Sequence, residues 1–216
     1  MINGSPFDSS ALEYDSWFDR HREAFNSEIL ALSKCTSVQG EGLEVGVGTG
    51  RFAASLGIRY GVEPGKAMAT IAKSRGIDVS LGRAEALPYK KNWFDFALFV
   101  TTLCFVSDPF KSLEEARRVL KISGRIIIGM IDEDAPPGKS YAEKRANNEF
   151  YKGARFYPLD QVIDWLTSLG FTEISSRQTI FSDVASLSQA DEVRKGHGDG
   201  LFVVICARKT GGGDLR

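Results

Sequence analysis

Short apolar runs alternate with amphipathic helical stretches between residues 41 and 131, which predicts a parallel sheet covered by helices. The Phe94–Val100 run is almost wholly apolar, as is typical of a central strand buried on both faces. Aspartate and proline at 108 and 109 predict the start of a helix, because they suit the N-cap and the first helical position. The five predicted strands of this half are Leu43–Val47, Ile58–Val62, Ile77–Leu81, Phe94–Val100 and Arg125–Ile131.

Helical spacing of apolar residues also marks two faces that we expect to be buried. Two short helices are predicted over residues 9–34, and they either pack on the sheet edge or form a flap over a ligand. Their expected apolar side is Leu12, Trp17, Phe18, Phe25, Ile29, Leu30 and Leu32. The helices Arg51–Leu56 and Lys66–Ser74 lie between strands. The helix after Asp108 has the expected stripe Phe110, Leu113, Ala116, Val119 and Leu120.

The pattern changes after residue 131. The polar stretch Asp132–Phe156 is interpreted as a lid or substrate-contacting insertion, with a solvated structural loop as the alternative. A helix over Pro158–Leu169 follows, and then strands over Phe171–Phe181 and Leu201–Arg208. No helical pattern separates these two strands, so they are expected to pair in antiparallel fashion.

These elements predict an α/β fold with a mostly parallel, seven-stranded sheet, an antiparallel last strand and helices on both faces. We expect a single domain over residues 1–216. Within it, residues 1–40 would form an N-terminal helical cap and residues 41–131 a cofactor-binding half. Residues 132–157 would be the lid or insertion, and residues 158–209 the last helix and strand hairpin.

Composition narrows the functional classes. A net charge of −1 over 216 residues gives no electrostatic footprint for nucleic acid or for an anionic membrane. No apolar run approaches the roughly 20 residues that span a bilayer, and the polar first residues carry no export signal. The cysteines at 35, 104 and 206 are too widely spaced for a metal cluster or a disulfide framework. A cytoplasmic protein without a metal site is therefore expected.

The stretch Glu41–Gly50 carries the strongest chemical signal. An apolar strand there runs into alternating glycines that open a helix, so backbone groups can approach a ligand closely. A dinucleotide fingerprint would need glycine at position 51, where the chain has Arg51. A pyrophosphate would also be poorly served by Glu44, whereas an acid at the turn suits a ligand that carries a positive ammonium group.

Carboxylates at the ends of the next two strands extend this site. Glu63 ends the second strand, where a carboxylate can accept from both hydroxyls of a ribose without a 2′-phosphate. Glu85, after the third strand, could accept from an adenine amino group, and Met68 could pack against the ring. The matching ligand is an adenosine with an amino acid attached.

Five motifs in this order resemble those of the class I S-adenosylmethionine-dependent methyltransferases. They are most similar to the small-molecule group that includes the ubiquinone and menaquinone methyltransferases, the type 11 methyltransferase domain. The motifs are Leu43–Gly50, Gly61–Pro64 with Ala67 and Met68, Gly82–Pro88, Phe94–Ala97 and Arg118–Arg125. The resemblance covers residues 41–131 and, more loosely, the final hairpin. It implies a Rossmann-like methyltransferase fold and S-adenosyl-L-methionine as the cofactor.

The resemblance also implies a cofactor-binding role for each matched residue. The methionine part would be held by Glu44 with the backbone of Gly46 and Gly48, and the ribose hydroxyls by Glu63. The residues implied to flank the adenine, read its edge or line the methionyl group are Pro64, Met68, Ala84, Glu85, Ala86 and Thr101.

The predicted reaction is in-line transfer of a methyl group to a small-molecule acceptor, in which the protein mainly aligns the two reactants. Residues 101–105 lack the Asn/Asp-Pro-Pro-Tyr signature of base-methylating relatives. An NAD-dependent oxidoreductase is the alternative, disfavoured by Arg51, and a non-catalytic S-adenosylmethionine-binding module is a second. Neither a catalytic residue, nor the acceptor, nor the oligomeric state follows from the sequence. Tyr14, Trp17, Tyr141 and His197 are weak candidates for acceptor contacts, since packing or a surface position also explains each.

Overall fold

The computed structural model describes residues 8–36, 40–139, 149–151 and 153–211. In this part of the chain, eight strands form one sheet in the order β3-β2-β1-β4-β5-β8-β6-β7. Strands β1 to β5 pair in parallel, whereas β8 is antiparallel to both of its neighbours. The strands are β1 Gly42–Val45, β2 Tyr60–Glu63, β3 Asp78–Leu81, β4 Phe94–Val100, β5 Leu120–Ile131, β6 Phe171–Thr179, β7 Arg194–Lys195 and β8 Phe202–Lys209.

The predicted mostly parallel sheet with an antiparallel last strand is confirmed, but the predicted number of strands was too small by one. The additional strand is β7, a two-residue strand that pairs with Arg177 and Gln178 of β6. It lies between the predicted strands Phe171–Phe181 and Leu201–Arg208, where no further strand was predicted. Two exposed residues leave no alternation of apolar and polar positions, so the sequence carries no signal for this strand.

Helices cover both faces of the sheet, as predicted. One face is packed by the first four helices and the other by the last two, and each face has its own cluster of buried side chains. The helices among the described residues are α1 Ala11–Arg20, α2 Arg22–Thr36, α3 Arg51–Leu56, α4 Lys66–Ser74, α5 Pro109–Val119 and α6 Leu159–Ser168. Short 3-10 turns cover Asp8–Ser10, Glu149–Tyr151 and Val184–Ser186.

Three side chains predicted to be buried are exposed: Leu12 by 77%, Leu30 by 39% and Phe110 by 39%. In α1 the buried positions are Ala11 and Phe18, so the neighbouring position 12 is rotated about 100° away from the sheet. The same offset exposes Leu30 beside the buried stripe of α2. Phe110 lies in the first turn of α5, before the first buried residue of that helix, Ser112.

Strand β5 begins five residues earlier than predicted. Leu120 already pairs with Phe94, and the ladder then skips to the pairing of Arg125 with Phe96. Between these points Ser123 has a φ of 66°, which is uncommon outside glycine. The chain therefore makes a bulge where the sequence, with Gly124, predicted a turn between helix and strand.

Strand β4 positions the functional end of the sheet. It lies between β1 and β5, and its buried residues bring Val100 to the same edge as Val45 of β1. Because these strands are parallel, their carboxyl ends open on one side of the sheet. The glycine turn after β1 and the segment after β4 are therefore neighbours.

The N-terminal helices are held over this edge by a network of ion pairs. Arg51, at the start of α3, contacts Asp15 and Asp19 of α1, each at 2.7 Å. Arg75, after α4, contacts Asp15 at 2.8 Å and donates to the Thr49 carbonyl at 2.6 Å. Burial acts to raise the pKa of Asp15, but hydrogen bonds from both arginines hold it well below its usual range. The cap is thus fixed to the glycine turn itself.

Arg51→Ala should lower the free energy of unfolding by about 1–2 kcal/mol, because it removes the charged hydrogen bonds between α1 and α3. This is less than for a fully buried pair, since water screens the exposed carboxylate of Asp19. Denaturant unfolding measures the change. Lys111→Ala removes the exposed pair with Glu114 and should leave stability nearly unchanged. Equal effects of the two variants would contradict the assigned role of the network.

Candidate active site

The turn after β1 exposes backbone at the carboxyl edge of the sheet. Gly46 and Gly48 have φ values of 72° and 53°, in the left-handed region that favours glycine. A Cβ on Gly46 would lie 2.5 Å from Cγ2 of Thr102, so a larger residue cannot be accommodated there. The Gly46 N–H donates to the Val62 carbonyl at 2.8 Å. The turn is therefore packed between the ends of β2 and β4.

Glu63 joins two of these strand ends. One carboxylate oxygen accepts from the Gly48 N–H at 3.0 Å, and the other accepts from the Gly65 N–H at 2.8 Å. The side chain is 6% exposed, so these bonds fix its orientation in a protected position. The predicted ribose contact would add hydroxyl donors to a carboxylate that is already positioned; that contact stays a prediction.

Glu44 lies inside the sheet and is 1% exposed. Its Oε2 atom has no hydrogen-bond partner among the residues that the structure describes. Burial raises the pKa of this carboxyl well above its usual range and the charge of Glu63 adds to the shift, while a hydrogen bond with the backbone of Ala53 opposes it. A buried carboxylate of this kind is costly unless a cation or donor approaches it.

These features fit an aminoacyl sulfonium cofactor. The unpartnered Glu44 oxygen offers an acceptor for an ammonium group. The face of Gly48 is open, because a Cβ added there would meet only Cε1 of Tyr14, at 3.8 Å. Bare backbone and buried carboxylates thus lie side by side at the ends of β1 and β2.

The residues predicted to surround the adenine are more dispersed. Met68 is 2% exposed within α4, and Pro64 is partly exposed beside it. Ala84 is buried whereas Ala86 is exposed. The two alanines come from the turn after β3. They would line one side of the predicted adenine site.

Glu85 has a different environment from that of Glu44 and Glu63. Its Oε1 accepts from the Ser107 N–H at 2.7 Å and from the Asp108 N–H at 3.3 Å, at the start of α5. At the glycine turn itself, the charge of Glu63 raises the pKa of Glu44. The predicted bond from Glu85 to an adenine amino group stays a prediction, and the geometry supports a role in anchoring α5.

A cavity of about 40 Å³ lies next to the glycine turn, between the N-terminal helices and the ends of β4 and β5. Most of its lining is aromatic or aliphatic, which excludes water. The lining residues are Tyr14, Trp17, Phe18, Glu28, Phe52, Thr101, Ile131, Phe150, Tyr151, Val184 and Leu201. The structure therefore brings Tyr14, Trp17 and Thr101 together, three residues that the sequence had selected.

Tyr14 lies between this cavity and the glycine turn. Its ring packs against Phe18 and Phe150, with centroids 5.4 and 5.7 Å apart, and approaches Gly48 on the other side. Burial raises the pKa of the Tyr14 hydroxyl well above its usual range, and the charges of Glu28, Glu44 and Glu63 raise it further. The hydroxyl therefore keeps its proton at neutral pH.

Thr101 forms the rim between β4 and the cavity. Its φ of 48° is rare for a β-branched residue and indicates backbone strain. The strain is held by two hydrogen bonds: the Thr101 N–H donates to the Gly129 carbonyl at 2.8 Å, and the Thr101 carbonyl accepts from Cys104 Sγ at 3.1 Å. Thr101 also lines a smaller cavity of about 20 Å³.

The other two acceptor candidates do not join this group. His197 is exposed on the outer edge of the sheet, where its Nδ1 lies 3.1 Å from Ser176 Oγ, and it is not among the cavity-lining residues. Tyr141 lies outside the described residues.

Sequence reasoning missed Glu28, a carboxylate in the cavity wall that is 7% exposed. The buried residues of α2 are Ala24, Ser27, Glu28, Ala31, Leu32 and Cys35, which follow helical spacing. An acid in such a stripe is unusual, and this spacing was the signal that could have identified it.

Comparison with known proteins agrees with this geometry. Residues 43–128 match the family model described as "Methyltransferase domain". An uncharacterized protein of Methanocaldococcus jannaschii is 48% identical over 203 residues, covering 94% of this chain and 98% of that protein. An uncharacterized protein of Mycobacterium tuberculosis is 36% identical over 174 residues, covering 79% of this chain and 61% of that protein.

A solved structure shows the same fold over nearly the whole chain. The S-adenosylmethionine-dependent methyltransferase of Thermotoga maritima has a TM-score of 0.91 and 45% identity, covering 95% of this chain and 99% of that one. The chain belongs to the class I S-adenosylmethionine-dependent methyltransferases, and its cofactor is S-adenosylmethionine. The oxidoreductase and non-catalytic alternatives are set aside, while the narrower resemblance to quinone methyltransferases stays a prediction. Among the described residues, no helix has the length and apolarity needed to cross a membrane.

Glu63→Gln should raise the Kd for S-adenosylhomocysteine roughly tenfold or more, because an amide cannot accept at both ends from Gly48, Gly65 and the ribose. Isothermal titration calorimetry measures the change. Glu173→Gln, which removes an exposed carboxylate of β6 that pairs with Arg208, is the matched control, and we expect it to alter the Kd by less than about threefold. An unchanged Kd in Glu63→Gln would overturn the assignment of the ribose carboxylate.

Proposed function

We propose that the chain transfers the methyl group of S-adenosylmethionine to a small-molecule acceptor bound in the cavity between α1, α2 and the ends of β4 and β5. The observation that carries this proposal is the mainly apolar cavity of about 40 Å³ beside the glycine turn. Its aromatic and aliphatic walls disfavour water and would pack against the apolar part of an acceptor. The cofactor, when bound, supplies a methyl group on a positively charged sulfur.

The proposed binding set for the cofactor follows from the contacts around the turn. Glu44, with its unpartnered oxygen, and the backbone of Gly46 and Gly48 would hold the amino-acid end. Glu63 would hold the ribose, since Gly48 and Gly65 fix its carboxylate at the strand ends. Tyr14 would separate the two ligands, because it contacts both the turn and the cavity. Alignment of this kind can supply roughly 7–11 kcal/mol of barrier lowering.

Two parts of the chain would close the site. In the proposed organisation, residues 1–40 form a cap and residues 132–157 a lid over the acceptor. The cap is supported by Tyr14 and Trp17, which line the cavity from α1. The proposed lid is supported by Phe150 and Tyr151, which also line the cavity. Both parts belong with the cofactor-binding half and the final hairpin in a single proposed domain.

A small acceptor is favoured over a macromolecule. Among the described residues, the lining contains no Lys or Arg side chain that would bind a phosphate backbone, and the chain carries a net charge of −1. The Thermotoga maritima relative, 45% identical, is described as a "possible histamine N-methyltransferase", which is also a small-molecule activity.

Release of S-adenosylhomocysteine, measured across panels of small amines, alcohols, phenols, thiols and carboxylates, tests the proposal. Val184→Trp should fill the cavity from the Val184–Ser186 turn and lower kcat/KM for the acceptor by roughly tenfold or more, with cofactor affinity unchanged. Ala185→Trp places the same side chain on the neighbouring exposed position and should have little effect. Release that is unaffected by Val184→Trp would show that the acceptor binds elsewhere.

A further inference from the structure

Glu28 is the one acidic residue in the cavity wall, and the described part of the chain gives it no ion pair or hydrogen bond. Its side chain is 7% exposed, and the surface that remains faces the cavity. Ser27, the preceding residue on α2, has hydrogen-bond partners for its hydroxyl group. Its Oγ donates to the Glu23 carbonyl at 2.7 Å and accepts from the Asp191 N–H at 2.8 Å. Glu28 therefore differs from a buried polar residue with a structural role.

Burial without a partner has a measurable consequence for this carboxyl. It raises the pKa of Glu28 to about 8. The titratable groups around it are Tyr14 of α1 and, beyond that ring, Glu44 and Glu63, none of which supplies a positive charge. The described residues that line the cavity include no Lys, Arg or His. A cation that enters the cavity would remove this cost, since it would pair with an otherwise isolated carboxylate.

The rest of the wall also suits a cation. Six aromatic rings surround the cavity, and the electron-rich faces of such rings attract ammonium groups. The rings belong to Tyr14, Trp17, Phe18, Phe52, Phe150 and Tyr151. An aromatic enclosure with one carboxylate favours an organic ammonium ion over an anion or a neutral sugar.

We propose that the methyl acceptor is a small amine, bound as its ammonium ion by the Glu28 carboxylate and the surrounding aromatic rings. This inference rests on the proposed function of the cavity as the acceptor site. It identifies Glu28 as a residue that contacts the substrate, and it defines the substrate class by a protonated nitrogen on a compact, largely apolar body.

Glu28 also supplies the proton acceptor that an amine needs. An ammonium nitrogen has no lone pair, so one N–H proton must first pass to the Glu28 carboxylate. The freed lone pair then forms the nitrogen–carbon bond as the carbon–sulfur bond breaks, and the electron pair of that bond stays on sulfur. The products are the N-methylammonium ion, neutral S-adenosylhomocysteine and protonated Glu28, which returns its proton to water.

A matched pair of probes separates charge from shape. Ethylamine is an ammonium ion at pH 7, and ethanol is its neutral counterpart of nearly equal size. Calorimetric titration into the protein saturated with S-adenosylhomocysteine should show at least about tenfold tighter binding of ethylamine. Glu28→Gln should abolish that preference while leaving the Kd of S-adenosylhomocysteine within about twofold. Glu23→Gln, which removes a charge from the same helix outside the cavity, should retain the preference.

Equal binding of the two probes, absence of binding by both, or a preference that survives in Glu28→Gln would overturn the inference. These results are distinguishable from failure of the proposed function. If alcohols or carboxylates release S-adenosylhomocysteine while ethylamine binds no more tightly than ethanol, the cavity is the acceptor site but its substrate is not an amine. If the preference is present and no small acceptor turns over, the ammonium site stands and the proposed methyl transfer fails.

Discussion

The two backbone hydrogen bonds that Glu63 accepts are the constraint on which the site depends. They tie Gly48 of the turn after β1 to Gly65 after β2, at 3.0 and 2.8 Å. Left-handed glycines make such a turn flexible unless something holds it, and Glu63 does so from inside the protein. The turn then presents bare backbone on the face of Gly48 that lies toward the Tyr14 ring. Because Glu63 holds the turn in this position, the turn and the cavity are adjacent.

Helix α1 is joined to the glycine turn from a distance in sequence. Arg51 begins α3 directly after the glycine turn, and it pairs with Asp15 and Asp19 of α1. The same residue had argued against a dinucleotide, because that fingerprint requires glycine at position 51. The structure shows what the arginine does instead: it fixes the helix that carries Tyr14 and Trp17 over the strand ends. Position 51 therefore has two consequences. An arginine there does not match the dinucleotide fingerprint, and it holds the helix that lines the cavity.

The sequence predicted the cofactor half more closely than the cavity, for physical reasons. Strand β4 and helices α3 and α4 follow strong local patterns, so their bounds agree with the structure. Glu44 and Glu63 are adjacent to the turn that identified them. Glu28 was missed because its position in the cavity wall depends on which face of α2 is buried. The exposure of Leu30 shows that the predicted buried face of α2 was wrong. Contacts that join distant segments, such as Arg51 with Asp15, leave no local pattern at all.

The central claim is that the cofactor and the acceptor cavity meet at Tyr14. A crystal structure with S-adenosylhomocysteine bound tests it most directly. We expect the amino group near Glu44, the ribose at Glu63 and the sulfur directed past Tyr14 into the cavity lined by Thr101 and Glu28. A ligand whose sulfur points away from Tyr14, or that lies outside the glycine turn, would contradict the account.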